Sequence, residues 1–192
     1  MIFRRHFDKL TSMLGIIIRR DFPRPMISHI KRNLLSNQSR GCKEGLVGIE
    51  IGVLEGKNAL SILKTLPIRK LYLIDPYLPY EGYPQNMEGI FIKAMKKLSK
   101  YKSKIVFIKK KSKDAKIGIK GQVDFVYIDG SHSYKDAKQD IQLYKDLVKN
   151  GGYIGGHDIE SSPNNGVLKA VLEEFEPKDV SIFTPDWWVK VK

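Results

Sequence analysis

Four short stretches of the 192-residue chain carry side chains suited to chemistry, and each closes an apolar run. Residues 123–134 read Val-Asp-Phe-Val-Tyr-Ile-Asp-Gly-Ser-His-Ser-Tyr. The near-continuous apolar part predicts a buried central strand. That strand delivers Asp129 and His132 to its carboxyl end, the edge at which open α/β sheets bind their ligands. Residues 151–158, Gly-Gly-Tyr-Ile-Gly-Gly-His-Asp, bring His157 and Asp158 to the same edge. Imidazoles titrate near neutral pH, so this edge gathers groups suited to moving protons or binding cations. Residues 47–57, Val-Gly-Ile-Glu-Ile-Gly-Val-Leu-Glu-Gly-Lys, run from a strand through a glycine turn into a helix. Gly52 and Gly56 let the backbone turn sharply and approach a ligand, and the helix start behind them offers free amides. The turn lacks the Gly-x-Gly-x-x-Gly of dinucleotide folds. It is also one residue too short for a Walker phosphate loop, with Asn58 where a magnesium-binding Ser or Thr would stand. The fourth stretch, Leu71-Tyr72-Leu73-Ile74-Asp75, ends in a carboxylate 23 residues after Gly52.

Taken together, Glu50-x-Gly52-x-x-x-Gly56 and Asp75 resemble the first two motifs of class I S-adenosylmethionine-dependent methyltransferases. The resemblance implies that the glycine turn passes under the methionine part of the cofactor and that Glu50 helps place its charged groups. Asp75 would accept both ribose hydroxyls in a bidentate hydrogen bond, as acids do in dinucleotide folds. Residues 110–115, Lys-Lys-Ser-Lys-Asp-Ala, sit where the family contacts adenine, which points to Ser112 although the family's glycine is missing; Asp114 reads equally as a charge partner of the lysines. Asp129 would border the same cofactor.

Asp129-Gly130-x-His132-x-Tyr134 and the His157-Asp158 pair are similar to a small-molecule O-methyltransferase branch. That branch is grouped with macrolide-sugar methyltransferases and cephalosporin-hydroxylase-like proteins, and the likeness extends over about residues 44–192. Methyl transfer from a sulfonium is an in-line displacement that needs an aligned, deprotonated hydroxyl. The resemblance implies a Mg2+ or other divalent cation on Asp129 and Asp158 to acidify that hydroxyl. His157 would stand at the third ligand position, and its coordination would favour a transition metal. His132 falls where catechol-type relatives carry a lysine base, which makes His132 and Asp129 the expected catalytic residues. Two plainer roles stay open: Asp129 and Asp158 as substrate orienters or helix caps, and His132 as a backbone-bonded histidine at a helix start.

The elements that must position these groups are legible as alternating short apolar runs and helical-period segments from residue 46 onward. Strands are expected at 46–51, 70–75, 104–108, 123–128, 152–156, 180–183 and 187–191. Helical stripes run through Met87, Ile90, Phe91, Ala94, Met95 and Leu98, then Ala137, Ile141, Tyr144 and Val148, then Val167, Leu168, Val171, Leu172 and Phe175. Ser133 and Asp136 form a capping-box pattern, and Pro163, Asn164 and Asn165 supply a start for the last helix. Only residues 184–186 separate the last two strands, which predicts a hairpin. Trp187 and Trp188 are expected to face core and outside respectively, or the reverse. A Tyr/Pro-rich loop with Tyr77, Tyr80, Tyr83 and Pro84 could line an acceptor pocket. The expected fold is α/β: a Rossmann-like, seven-stranded, mostly parallel sheet with a C-terminal antiparallel hairpin and helices on both faces. Residues 41–192 form this domain. Residues 1–40 form an N-terminal helical extension, with Phe3, Phe7, Leu10, Leu14 and Ile17 on one face and a second helical stretch over 25–35. His6 and His29, both in the extension, read as surface or packing residues.

Composition bounds the partners. Hydrophobic residues make up 42% and charged residues 29%, which excludes a disordered or collagen-like chain. No apolar run reaches the roughly 20 residues of a membrane span, no signal-peptide pattern is seen, and Cys42 stands alone, so a cytoplasmic home is expected. The net charge of +13 is concentrated: residues 1–40 carry +7 and residues 93–120 carry 12 lysines against Asp114 alone. The leading expectation is a small-molecule or glycan hydroxyl as acceptor. The lysine block keeps open an RNA or other polyanionic acceptor, peripheral contact with an anionic membrane, and a non-catalytic partner-binding module. A homo-oligomer is compatible with all of these. Against nucleic-acid chemistry, the chain lacks the Asn/Asp-Pro-Pro-aromatic motif of amino-group methylation and a second cysteine.

Overall fold

The computed structural model describes residues 22–36, 45–79, 86–160 and 166–192. The expected helical face from Phe3 to Ile17, His6, Cys42, the loop residues Tyr80, Tyr83 and Pro84, and Pro163 to Asn165 lie outside them. Seven strands are present: β1 (Leu46–Ile51), β2 (Ile68–Ile74), β3 (Ile105–Ile108), β4 (Val123–Ile128), β5 (Val148–Gly156), β6 (Val180–Phe183) and β7 (Asp186–Lys190). The helices are α1 (Pro25–Ser36), α2 (Lys57–Thr65), α3 (Met87–Leu98), α4 (Ser112–Ala115), α5 (Tyr134–Tyr144) and α6 (Gly166–Glu174). One sheet forms in the order β3-β2-β1-β4-β5-β7-β6. β1 pairs in parallel with β2 and β4, β2 with β3, and β4 with β5, while β7 runs antiparallel between β5 and β6. This is a Rossmann-like architecture, and its strand order reverses between β1 and β4, where such sheets open a crevice for ligands.

Alternation along the strands separates two cores. Leu46, Leu71, Leu73, Phe125, Tyr127 and Trp188 face α1, α2 and α3. Val47, Ile49, Ile51, Val126, Ile128 and Trp187 face α5 and α6. The expectation that one tryptophan of β7 faces outward is corrected here: Trp187 and Trp188 are 1% and 7% exposed. Both faces of β7 are covered, because Trp188 packs on His29 of α1 with ring centroids 4.9 Å apart and Trp187 packs near Phe175 just beyond α6. β5 also begins four residues earlier than expected, so that Val148 pairs with Val123 instead of ending a helix.

The second expected helix of the extension is integrated into the first core. α1 starts with Pro25, whose missing N–H costs nothing at a helix start. Met26, Ile27 and Ile30 are buried in the same core as β1 and β4, each such side chain contributing roughly 1.5–3 kcal/mol. The Met26 N–H donates to Asp186 Oδ2 at 3.1 Å, and Tyr127 Oη donates to Asp186 Oδ1 at 3.0 Å. One fully buried carboxylate thus ties α1 to β7 and β4. Among the described residues no helix is long and apolar enough to cross a membrane.

Candidate active site

The glycine turn after β1 is built on Asp75. Its Oδ2 accepts the N–H groups of Val53 (3.0 Å) and Leu54 (2.9 Å), and its Oδ1 accepts that of Tyr77 (2.8 Å). Tyr77 Oη closes the loop by donating to the Leu54 carbonyl. Gly52 has φ +83°, and a Cβ there would stand 2.0 Å from the Asp129 carbonyl oxygen. Glycine is therefore needed to seat the end of β1 against the end of β4. Gly56, at φ +70°, precedes the first residue of α2 without a side-chain cap, leaving that helix start open to an anion or dipole. Asp75 thus has a structural task that the sequence did not announce: three of its acceptor positions serve the turn, and one lone pair of Oδ1 remains for a ribose hydroxyl.

Glu50 is 1% exposed at the end of β1. Asn58 Nδ2 donates to its Oε1 at 3.2 Å, while Oε2 is buried with no partner. Burial raises its carboxyl well above the usual range, with Asp129 adding to the effect. A buried acceptor without a donor, next to a glycine turn, fits a bound ammonium or sulfonium. Ser112 opens α4, and its side chain is bonded to the buried Asp140 while its carbonyl accepts from Tyr144 Oη. The expected adenine contact is thereby already engaged with α5. Asp114 is exposed.

On the other side of β1, four residues converge. Asp129 follows β4, its N–H donating to the Ile51 carbonyl at 2.7 Å, and burial pushes its carboxyl up to about 7 against the opposing pull of His157 and Arg24. His157 Nδ1 lies 2.9 Å from Asp158 Oδ2 and 3.7 Å from Asp129 Oδ1. His132 Nδ1 lies 3.1 Å from the same Asp158 Oδ2, with its side chain 40% exposed. His132 is delivered by the turn before α5, whose Ser133 cap accepts the Asp136 N–H as the capping pattern foretold. A small cavity is lined by Asp129, Gly130, His132, His157, Val167 and Trp187 among others. The indole N–H of Trp187 is buried and unpaired.

The expected cation ligands are brought together, with one ligand atom each of Asp129, His157 and Asp158 within 4.8 Å of one another. The two carboxylates fit a hard divalent cation. His157 does not fit as third ligand in this arrangement, because Arg24 Nη1 sits 2.5 Å from its Nε2. A residue the sequence reading passed over thus enters the site. Nothing in the Phe-Pro-Arg-Pro context of Arg24 marks it, and only the docking of α1 brings it to the sheet edge.

Residues 49–159 match the family model described as a methyltransferase domain. The chain is 31% identical over 137 residues to an uncharacterized protein of Acanthamoeba polyphaga mimivirus, a match that covers 69% of this chain and 58% of that relative. It therefore spans little more than half the length of that protein. Among solved structures, it is similar to the O-methyltransferase TomG from Streptomyces achromogenes, involved in tomaymycin synthesis and solved with S-adenosylmethionine. That similarity has a TM-score of 0.59 at 13% identity and covers 95% of this chain and 86% of that one. A putative rRNA methylase from Clostridium thermocellum shares the fold equally, with TM-score 0.58 at 14% identity over 85% and 94% of the two chains.

Proposed function

We propose that this chain, which belongs to the family of methyltransferase domains, moves a methyl group from S-adenosylmethionine to a hydroxyl of a small acceptor such as a sugar. The observation that carries this reading is the His132–Asp158 pair, 3.1 Å from Nδ1 to Oδ2, across β1 from the glycine turn. S-adenosylmethionine supplies an electrophilic methyl carbon on a sulfonium. Glu50 Oε2 offers a buried acceptor for its positive groups, Gly52 and Gly56 let the backbone approach it, and Asp75 keeps one lone pair for its ribose. Asp158 takes the Nδ1–H of His132, which leaves the His132 Nε2 lone pair free. His132 then removes the acceptor's proton as the oxygen–carbon bond forms and the carbon–sulfur bond breaks, leaving S-adenosylhomocysteine. Asp129 and Asp158 would hold a divalent cation through their carboxylates, and such an ion would lower the pKa of the acceptor hydroxyl.

The test is calorimetric titration of S-adenosylhomocysteine into the protein, with Mg2+ or Mn2+ and then with chelator, followed by a panel of hydroxylated acceptors. Micromolar binding and turnover of small hydroxyl compounds support the reading; no binding under any condition overturns it. The lysine block of residues 93–120 favours a second reading, methylation of RNA. Turnover of RNA that falls steeply with salt, with small acceptors inert, would establish that reading instead.

A further inference from the structure

We propose that Arg24 is a positioning residue of this site: its guanidinium holds the Nε2 lone pair of His157, so that the ring keeps its proton on Nδ1, toward the Asp158 and Asp129 carboxylates, and does not present Nδ1 to a cation as a ligand. Guanidinium has only donors. At 2.5 Å from Nη1, His157 Nε2 must therefore be the acceptor, and a neutral imidazole then carries its hydrogen on Nδ1. That nitrogen is buried without a well-angled hydrogen bond, 2.9 Å from Asp158 Oδ2 and 3.7 Å from Asp129 Oδ1, so its proton faces the two carboxylates. Were Nδ1 to ligate a cation instead, the ring's proton would sit on Nε2 and point at an Arg24 N–H. Two donors cannot share that line, so Arg24 at Nε2 and a cation at Nδ1 exclude each other.

Arg24 has reasons to stay. It stands one residue before α1, whose start is fixed by the bond from Met26 to Asp186. Its charge acts on Glu50, Asp129, Asp186 and Tyr127, and its guanidinium lies 5.1 Å from the Phe22 ring centre. The consequence reaches the proposed base. With both His157 and His132 approaching Asp158 Oδ2 through Nδ1, the carboxylate is held in place and His132 presents Nε2 outward. This catalytic meaning rests on the general-base reading above; the tautomer of His157 is a property of the resting protein. Arg24 lies outside the matched residues 49–159.

Long-range proton–nitrogen correlation spectra of the 15N-labelled full chain, with His157→Gln to assign the signals, read the tautomer directly. The expected wild-type result is His157 protonated on Nδ1 and bare on Nε2, with that tautomer kept in excess Mg2+. Arg24→Lys should keep that form, and Arg24→Met should move the proton to Nε2. A wild-type ring carrying a proton on Nε2, alone or with Nδ1, would overturn the proposal, as would loss of the Nδ1 proton on adding Mg2+. If Arg24→Met does not fold, the wild-type and Arg24→Lys spectra still decide. Failure of S-adenosylhomocysteine to bind would sink the methyl-transfer reading without touching this measurement.

Discussion

Replacing Asp75 by Asn separates two tasks that one carboxylate performs. In the wild type, two oxygens accept three backbone N–H groups, those of Val53, Leu54 and Tyr77, from a side chain only 8% exposed. Asparagine has the same shape but one acceptor atom. With its oxygen toward Val53 and Leu54, its NH2 group meets the Tyr77 N–H, donor against donor. A hydrogen bond to a charged group is worth about 1.5–3 kcal/mol net. Losing one and weakening two should cost about 2–4 kcal/mol, or a fall of roughly 6–12 °C in Tm for a domain of this size. Urea denaturation and thermal melts of wild type, Asp75→Asn and Asp75→Ala measure this, and calorimetry with S-adenosylhomocysteine measures the ligand task. A variant within about 0.5 kcal/mol of wild type would refute the argument that Asp75 builds the turn. Lower stability with unchanged affinity would instead refute the ribose role.

Three further outcomes are expected. His132→Gln should lower kcat by about 10²- to 10⁴-fold while leaving S-adenosylhomocysteine affinity within about twofold, as expected for a base that touches the acceptor alone; loss of affinity in calorimetry would show that His132 belongs to the cofactor site. Gly52→Ala should lose ligand binding and about 2–4 kcal/mol of stability by denaturation, since it combines a positive φ with a Cβ 2.0 Å from the Asp129 carbonyl oxygen. Asp140 is raised by burial from 3.8 to about 6. The folded state thus holds this proton more tightly than the unfolded chain, so stability is greater below the window from 3.8 to 6 and declines as pH rises through it. Two units at about 1.4 kcal/mol each set an upper figure of roughly 3 kcal/mol. Asp140→Asn should therefore gain stability on wild type at pH 8 relative to pH 4.5, and a pH-independent difference in urea midpoints would contradict the assignment.

Strand periods and turn chemistry were the legible part. β1, β4 and β6 fall at the expected residues, and the hairpin follows from the short gap at 184–186, because alternation and buried apolar runs are written locally. The site was legible as residues at strand ends: Glu50, Asp75, Asp129, His132, His157 and Asp158 all reach the carboxyl edge. What could not be read was how they spend their hydrogen bonds. The use of Asp75 by three amides depends on a loop geometry with no motif, and Ser112 is drawn to Asp140 across 28 positions of sequence. Arg24 depends on the docking of α1 against β7, a contact between the two ends of the described chain. The outward-facing tryptophan failed for the same reason: a period of two says which face a side chain takes, but not that both faces are covered.

Charge also separates the two acceptor readings once position is considered. The 12 lysines of residues 93–120 lie on α3, on α4 and in the connections around them, with Lys104 and Lys109 flanking β3, the sheet's edge strand. Three strand spacings, about 14 Å, separate β3 from β4, and His132, His157 and Asp158 stand beyond β4 toward β5. Lysines flanking an edge strand, here Lys104 and Lys109, discourage its pairing with other chains, a purpose unconnected with catalysis. Acidic groups stand at the strand ends instead, Glu50, Asp75, Asp129 and Asp158, and burial holds Glu50 and Asp129 toward their neutral forms until a cation joins them. Such a field favours a sulfonium and an ammonium. It opposes a phosphate backbone passing close to His132, and it leaves a neutral hydroxylated acceptor unaffected. The acidic groups at the strand ends weigh toward a small neutral acceptor, against the lysines of the block that reach Asp136 through Lys111.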